Sequence, residues 1–236
     1  MTRTRGTRSG KKTPVKVIQR KQEAASGAKT AAGKRAAKTP NPAGARKRTA
    51  KARSASGPVG GEAPPLLTLT LLRHAKSSWN DAAMADIDRP LAGRGRKAMP
   101  LIAAFLAGKA LIPDHVLCSS ARRTRETLDL LIEGLPSRPS VTYSDALYLA
   151  EPSALVDQLK ALPDTVRHAM IVGHNPEMQS LALSLVAEGP QETLTEIARK
   201  FPTAGLVVLT FPYASWRDLA LASGTLRHFQ SPRRLA

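Results

Sequence analysis

The sequence has a single cysteine, Cys118, so no intrachain disulfide is available and a cysteine–histidine metal cluster is ruled out. That usage fits a reducing compartment, and a cytoplasmic protein is the expectation. Long apolar runs are missing too: the longest, Leu66–Leu72, falls far short of the roughly 20 residues that cross a bilayer. The N-terminus lacks the apolar centre of a secretory signal; its Arg-rich, acid-poor character is one that a mitochondrial-type presequence would share. Acidic residues are nearly absent from one part of the chain. Residues 1–64 hold 17 Lys/Arg and 2 Asp/Glu, a net of +15, leaving 19 and 16, a net of +3, for residues 65–236. The same 64 residues contain no aromatic side chain and, among large aliphatics, only Val15, Val17, Ile18 and Val59.

Such a composition buries too little apolar surface to offset the entropy of ordering it, so residues 1–64 are expected to be a disordered basic tail. A tail of this charge suits non-specific, salt-dependent contact with nucleic acid or another acidic surface, or simply solubilises the chain. Residues 65–236 suffice for one domain, which at this size buries roughly 70% of its unfolded surface.

Within that domain the apolar run ending in Arg73-His74-Ala75 reads as a buried parallel strand. Ligands of open α/β sheets bind beyond the carboxyl ends of strands, which is where Arg73 and His74 stand. The polar stretch Lys76–Pro90 reads as a lid or surface loop. Ala98, Leu101, Ile102, Phe105 and Leu106 mark a core-facing helix, and His115–Ser119 a second strand. Ser119-Ser-Ala-Arg122-Arg123-Thr-Arg125-Glu-Thr127 then makes a strand–turn–helix with arginines in the helix's first turns, where the macrodipole disfavours them unless an anion is bound. Arg123 is the inward candidate; Arg122 and Arg125 are expected to face solvent. Val141–Tyr143 reads as a short edge strand and residues 151 or 152 to 162 as a helix. His168–Val172 is a further strand that runs into Gly173-His174-Asn175-Pro176, with Asn175 as N-cap and Pro176 as first helical residue. Ala204–Phe211 is the plainest strand, Trp216–Ser223 its expected hairpin partner, and the chain from Leu226 onward is expected to be weakly structured.

Two histidines and two arginines thus fall at strand-to-helix junctions. Arginine offers a bidentate fork for a phosphoryl group, and a neutral imidazole beside it can attack phosphorus to form a phosphohistidine that water hydrolyses. The Arg73 charge should lower the pKa of His74.

Arg73-His74-Ala75, Ser119-x₃-Arg123-x₃-Thr127 and Gly173-His174-Asn175-Pro176, in this order, resemble the histidine phosphatase (phosphoglycerate mutase-like) superfamily, most nearly the SixA-type phosphohistidine phosphatases. Asp88-Arg-Pro-Leu91, Leu147-Tyr-Leu-Ala150 and Phe201-Pro-Thr203 support the resemblance, which covers about residues 66–230. It implies a three-layer α/β/α sandwich with a mostly parallel central sheet, and a metal-independent phosphatase with no cofactor. His74 would be the nucleophile, Arg73 and Arg123 the phosphate clamp and His174 a further phosphate contact, with Ser119, Asn175 and Asp88 expected to bind substrate. The expected substrates are a phosphohistidine-bearing protein or a small phosphorylated metabolite.

Many superfamily members carry a glutamate general acid shortly after the short third strand, where this chain has Leu147-Tyr148-Leu149. An alkoxide needs protonation as it leaves, whereas an imidazole, of pKa near ~6.5, needs far less help. The missing acid therefore favours an N–P substrate unless Asp81, Asp86, Asp88, Asp145 or Glu151 folds into the site. A cysteine phosphatase is excluded, because the position six after Cys118 is Thr124 rather than arginine. A mutase is disfavoured, since the segment between the second and third main strands is too short for a large enclosing lid. A non-catalytic phosphate or nucleic-acid module working through the tail is the rival of another class.

Overall fold

The computed structural model describes residues 66–236, so the expected tail, residues 1–64, lies outside the described residues. Strands β1 (Leu67–Arg73), β2 (His115–Ser119), β3 (Ser140–Ser144), β4 (His168–Gly173), β5 (Val186–Glu188), β6 (Leu206–Phe211) and β7 (Gly224–Gln230) form one sheet in the order β3-β2-β4-β1-β6-β7-β5. Only β6 runs against the rest, pairing antiparallel with both β1 and β7. Both faces are covered, by α1 (Gly93–Gly108) and α2 (Arg122–Glu133) on one side and by α3 (Pro152–Lys160), α4 (Glu177–Leu185) and α5 (Gln191–Arg199) on the other.

The two-residue period of the strands sorts their side chains between two cores. Leu69, Leu71, Ala169, Ile171, Val207 and Leu209 join Leu155, Leu159, Met178 and Leu181 on one face. Leu72, Met170, Val172, Leu206 and Val208 join Met99, Ile102, Leu106, Leu128 and Leu131 on the other. Strands buried on both faces must be apolar throughout, which is why β1, β4 and β6 are the most legible segments of the sequence. The three-layer α/β/α sandwich is the fold that the family resemblance implied.

Three local expectations differ. The buried stripe of α1 is Gly95, Met99, Ile102, Ala103 and Leu106; Leu101 and Phe105 are only partly buried. Trp216–Ser223 is not a strand: Trp216–Asp218 is a 3₁₀ turn whose indole is fully buried and donates to the Val166 carbonyl at 2.7 Å. The hairpin partner of β6 is β7, and the chain past it ends in a short helix, α6 (Pro232–Leu235), so the region from Leu226 is ordered. Among the described residues no helix is long and apolar enough to cross a membrane.

Candidate active site

The register of the central strands brings the two histidines together. β1 and β4 pair in parallel with Arg73 opposite Gly173, and the His74 amide donates to the Gly173 carbonyl at 2.9 Å. Both imidazoles therefore leave the sheet at the same edge, with ring centroids 5.3 Å apart. Thr127 of α2 fixes the turn beneath them: its Oγ1 accepts from the Ala75 amide at 3.0 Å and donates to the Arg123 carbonyl at 2.6 Å. The i, i+4 spacing read in the sequence thus places Arg123 and its latch on the inward face of α2, while Arg122 and Arg125 are exposed.

Hydrogen bonding assigns both tautomers. His74 Nδ1 lies 2.8 Å from the Ala75 carbonyl, which only accepts, so Nδ1 carries the proton and Nε2 the lone pair. His174 is the reverse. Its Nδ1 is 3.1 Å from Arg123 Nη2, which only donates, so its proton is on Nε2 and points to Ser119 Oγ at 2.8 Å. Burial pushes the His74 pKa down to about 3; the bond to the Ala75 carbonyl opposes it, and the charges of His174, Arg123 and Arg73 add to the lowering. Burial and Arg123 likewise hold His174 at about 4. Both rings are neutral at physiological pH.

Arg123 is buried and multiply tethered. Its Nη1 donates to the Asp86 carbonyl at 2.5 Å and its Nη2 to Asp86 Oδ2 at 2.9 Å, in addition to His174. Asp86, rather than the expected Asp88, is the acidic residue of the site. Both belong to the 3₁₀ turn Asp86–Asp88, but Asp88 points to solvent while Asp86 also receives Arg89 Nη1 at 2.6 Å and the Tyr148 hydroxyl at 2.7 Å. Burial alone would raise the Asp86 pKa; the Tyr148, Arg89 and Arg123 contacts outweigh it and bring it to about 2. Arg89 closes the loop at its base through Ser77 Oγ and the Ser78 carbonyl and stacks on Trp79, 3.2 Å from the ring centroid. Tyr148, whose ring lies edge-on to His174 at 5.3 Å, occupies the place after β3. The Asp-x-Asp-Arg spacing did not say which aspartate bonds to Arg123, because the apolar residue of the turn, Ile87, lies between the two and favours neither.

Arg73 continues β1 into the site and donates through Nη1 to the Phe201 carbonyl at 2.6 Å. Asn175 is not an N-cap. The peptide bond Asn175–Pro176 is cis, α4 begins at Glu177, and Asn175 Nδ2 instead reaches Gln179 Oε1 at 3.0 Å and the Phe201 carbonyl at 3.5 Å. Of the seven residues singled out for the site, the fold therefore gathers Arg73, His74, Ser119, Arg123, His174 and Asn175 at one edge of the sheet and leaves Asp88 outside. Asp86, Arg89 and Tyr148 are additions. Cys118 is buried in the core, where burial and then Asp129 push its thiol up to about 12, so it is no nucleophile at neutral pH. Among the described residues no group of three or more His, Cys, Asp or Glu side chains is placed to hold a metal ion.

Residues 69–148 match the model of the histidine phosphatase superfamily (branch 1). The chain is 37% identical over 166 residues to an uncharacterized protein of Mycobacterium leprae, covering 69% of this chain and all of that one. Among solved structures it is similar to the putative phosphohistidine phosphatase SixA of Nakamurella multipartitia, at 30% identity and a TM-score of 0.62, covering 71% of this chain and 96% of that one. The putative phosphohistidine phosphatase SixA of Agrobacterium tumefaciens is similar at 28% identity and a TM-score of 0.60, covering 70% and 98% of the two chains.

Proposed function

Because the chain belongs to the histidine phosphatase superfamily, and is thus a phosphatase similar to the SixA-type enzymes, we propose that it removes phosphoryl groups from phosphohistidine on protein, through a covalent intermediate on His74. The observation that carries this reading is the state of His74: a neutral ring whose Nδ1 proton is committed to the Ala75 carbonyl, leaving the Nε2 lone pair free beside the arginines. In the first step Nε2 attacks phosphorus, the N–P bond to His74 forms and the bond to the leaving group breaks. Arg73 and Arg123 take up the charge on the phosphoryl oxygens, positioning and stabilising the transition state as most of phosphoryl-transfer catalysis requires. His174 supplies a further polar contact. In the second step a water oxygen attacks, the N–P bond breaks, inorganic phosphate departs and the neutral imidazole is restored.

The choice of leaving group follows from Asp86. This carboxylate reaches Arg123, yet three donors hold its pKa to about 2, so at neutral pH it has no proton to give. A departing imidazole tolerates that; an alkoxide does not. Phosphohistidine is accordingly favoured over small alkyl phosphomonoesters. Acid-labile ³²P is expected on the wild-type protein during turnover and not on His74→Ala, and a phosphohistidine peptide is expected to be hydrolysed faster than unactivated alkyl phosphates. Labelling of His74→Ala to the wild-type level would remove the nucleophile assignment, and the reverse substrate order would remove the substrate assignment. For residues 1–64 the charge alone supports a second role, non-specific contact with a polyanion such as nucleic acid.

A further inference from the structure

Tyr148 brings to the site an aromatic ring that has no part in the two transfer steps. The turn after β3 delivers it. Ser144 Oγ accepts from the Ala146 amide at 3.2 Å and opens the 3₁₀ turn Asp145–Leu147. Leu147 is buried in the core, and the Tyr148 amide closes the turn on the Asp145 carbonyl at 2.9 Å. Tyr148 itself is only partly buried, and its hydroxyl is committed to Asp86 Oδ2 at 2.7 Å.

The ring borders two of the proposed phosphoryl contacts. A chain of ring contacts runs from His74 to His174 and from His174 to Tyr148, each with centroids 5.3 Å apart, the second edge-on at 87°. The Arg123 guanidinium carbon lies 5.7 Å from the Tyr148 ring centroid. Both histidines are buried, so along this chain it is Tyr148 that reaches solvent. In-line displacement sets nucleophile and leaving group on opposite sides of phosphorus. With attack from the buried His74, a leaving group that belongs to another protein lies on the open side.

We propose that the Tyr148 ring determines leaving-group specificity: it packs against the imidazole of a bound phosphohistidine and favours that ring over a leaving group without one. Flat rings pair at centroid separations of roughly 4.5–7 Å, beyond what burial of their area supplies. The hydroxyl serves Asp86, and the ring serves the substrate. The inference rests on the reading of phosphohistidine as substrate and deepens it.

The test uses the full chain and three N–P substrates: a phosphohistidine peptide, N-phosphoimidazole, and phosphoramidate, whose leaving group is ammonia. All three need His74 and the arginines, so general damage to the site cancels in the ratios of their kcat/KM values. Tyr148→Leu is expected to lower the ratio of peptide to phosphoramidate by about two- to tenfold, and that of N-phosphoimidazole to phosphoramidate equally. Tyr148→Phe keeps the ring and loses the bond to Asp86. It is expected to slow all three substrates alike and leave both ratios at the parent value.

Parental ratios in Tyr148→Leu overturn the proposal. So do ratios that fall as far in Tyr148→Phe, which would give the selectivity to the hydroxyl. A loss confined to the peptide overturns it too, because the contact would then be with the chain around the phosphohistidine. Wild-type protein inert toward both the peptide and N-phosphoimidazole would refute the substrate reading and this inference with it, so the two failures are distinguishable.

Discussion

Thr127 offers a sharp test of how the site is held, because its hydroxyl hydrogen-bonds the turn after β1 to the backbone of α2. Thr127→Val preserves shape and burial but removes both bonds of Oγ1, the 3.0 Å acceptance from the Ala75 amide and the 2.6 Å donation to the Arg123 carbonyl. The Ala75 amide is then left unsatisfied beside a fully buried side chain. An orphaned buried donor costs about 1–3 kcal/mol. For a domain of this size each kcal/mol moves Tm by roughly 2–4 °C, so a fall of about 2–12 °C is expected by calorimetry. Activity should suffer more than stability implies. The Ala75 carbonyl orients His74 Nδ1, and Arg123 sits four residues before Thr127 on the same helix, so slack at Thr127 enters the distance between nucleophile and clamp. A kcat loss of tenfold or more at a temperature where the variant is fully folded is the expected result, by the usual sensitivity of catalysis to misplacement. Thr127→Ser, which keeps the hydroxyl, should recover most of it. A Val variant with parental kcat, or a Ser variant as impaired as Val, would refute the latch.

The pH behaviour of the histidines follows from their burial: the ring resonances of His74 and His174 should remain those of the neutral form at pH 5 by NMR, and a midpoint near 6.5 for either would contradict the geometry. Since His74, His174 and His168 bind protons less well folded than unfolded, their contribution to stability is present above about pH 6.5 and is lost as pH falls toward 4 and 3, which denaturant titration at pH 7 and 5 should record as a loss on acidification. Gly95→Ala would set a Cβ 2.3 Å from the Lys76 carbonyl oxygen, in backbone that cannot swing aside, and is expected to lower both stability, by about 1–3 kcal/mol, and kcat, because Lys76 is two residues from His74. Full chain and residues 65–236 should differ in duplex DNA binding: a tail engaging about ten phosphates gives a log–log salt slope near −9, and equal slopes for the two would remove the tail's proposed role.

What could be read from the sequence divides along burial. β1, β4 and β6 are covered on both faces, so their residues are apolar almost without interruption and their ends are abrupt; His74 and His174 were found because they break such runs. Arg123 was legible for another reason, its conflict with the dipole of α2. The failures lie where local signals compete. Trp216 looks like strand material, yet its indole fills the core and donates to the Val166 carbonyl, while β7, buried only at Gly224, Leu226 and Phe229, carries too little apolar signal to stand out. Asn175-Pro176 has the residue types of a helix start, but α4 begins at Glu177 and the Asn175 amide reaches Gln179 and the Phe201 carbonyl instead. Asp86 and Asp88 are equivalent by spacing; only the tertiary placement of Arg123 and Tyr148 separates them.

The arrangement of charge explains why an imidazole serves here without a base to activate it. Burial is the main reason that Nε2 stays unprotonated, and the two guanidinium groups proposed to clamp the phosphoryl group add to it, since protonation would place a third positive charge beside them. The same logic fixes the other ring: His174 accepts from Arg123 and therefore is neutral, so the site presents two permanent cations rather than four titrating ones. Asp86 then has a single role open to it. Ionised and bound to Arg123, Arg89 and Tyr148, it aims the buried guanidinium and has no proton for a leaving group. Asp86→Asn is thus expected to slow transfer from every substrate alike, through Arg123. A variant that lost turnover of alkyl phosphates while keeping that of phosphohistidine would show that Asp86 donates a proton after all, and the argument from leaving group to substrate would fall with it.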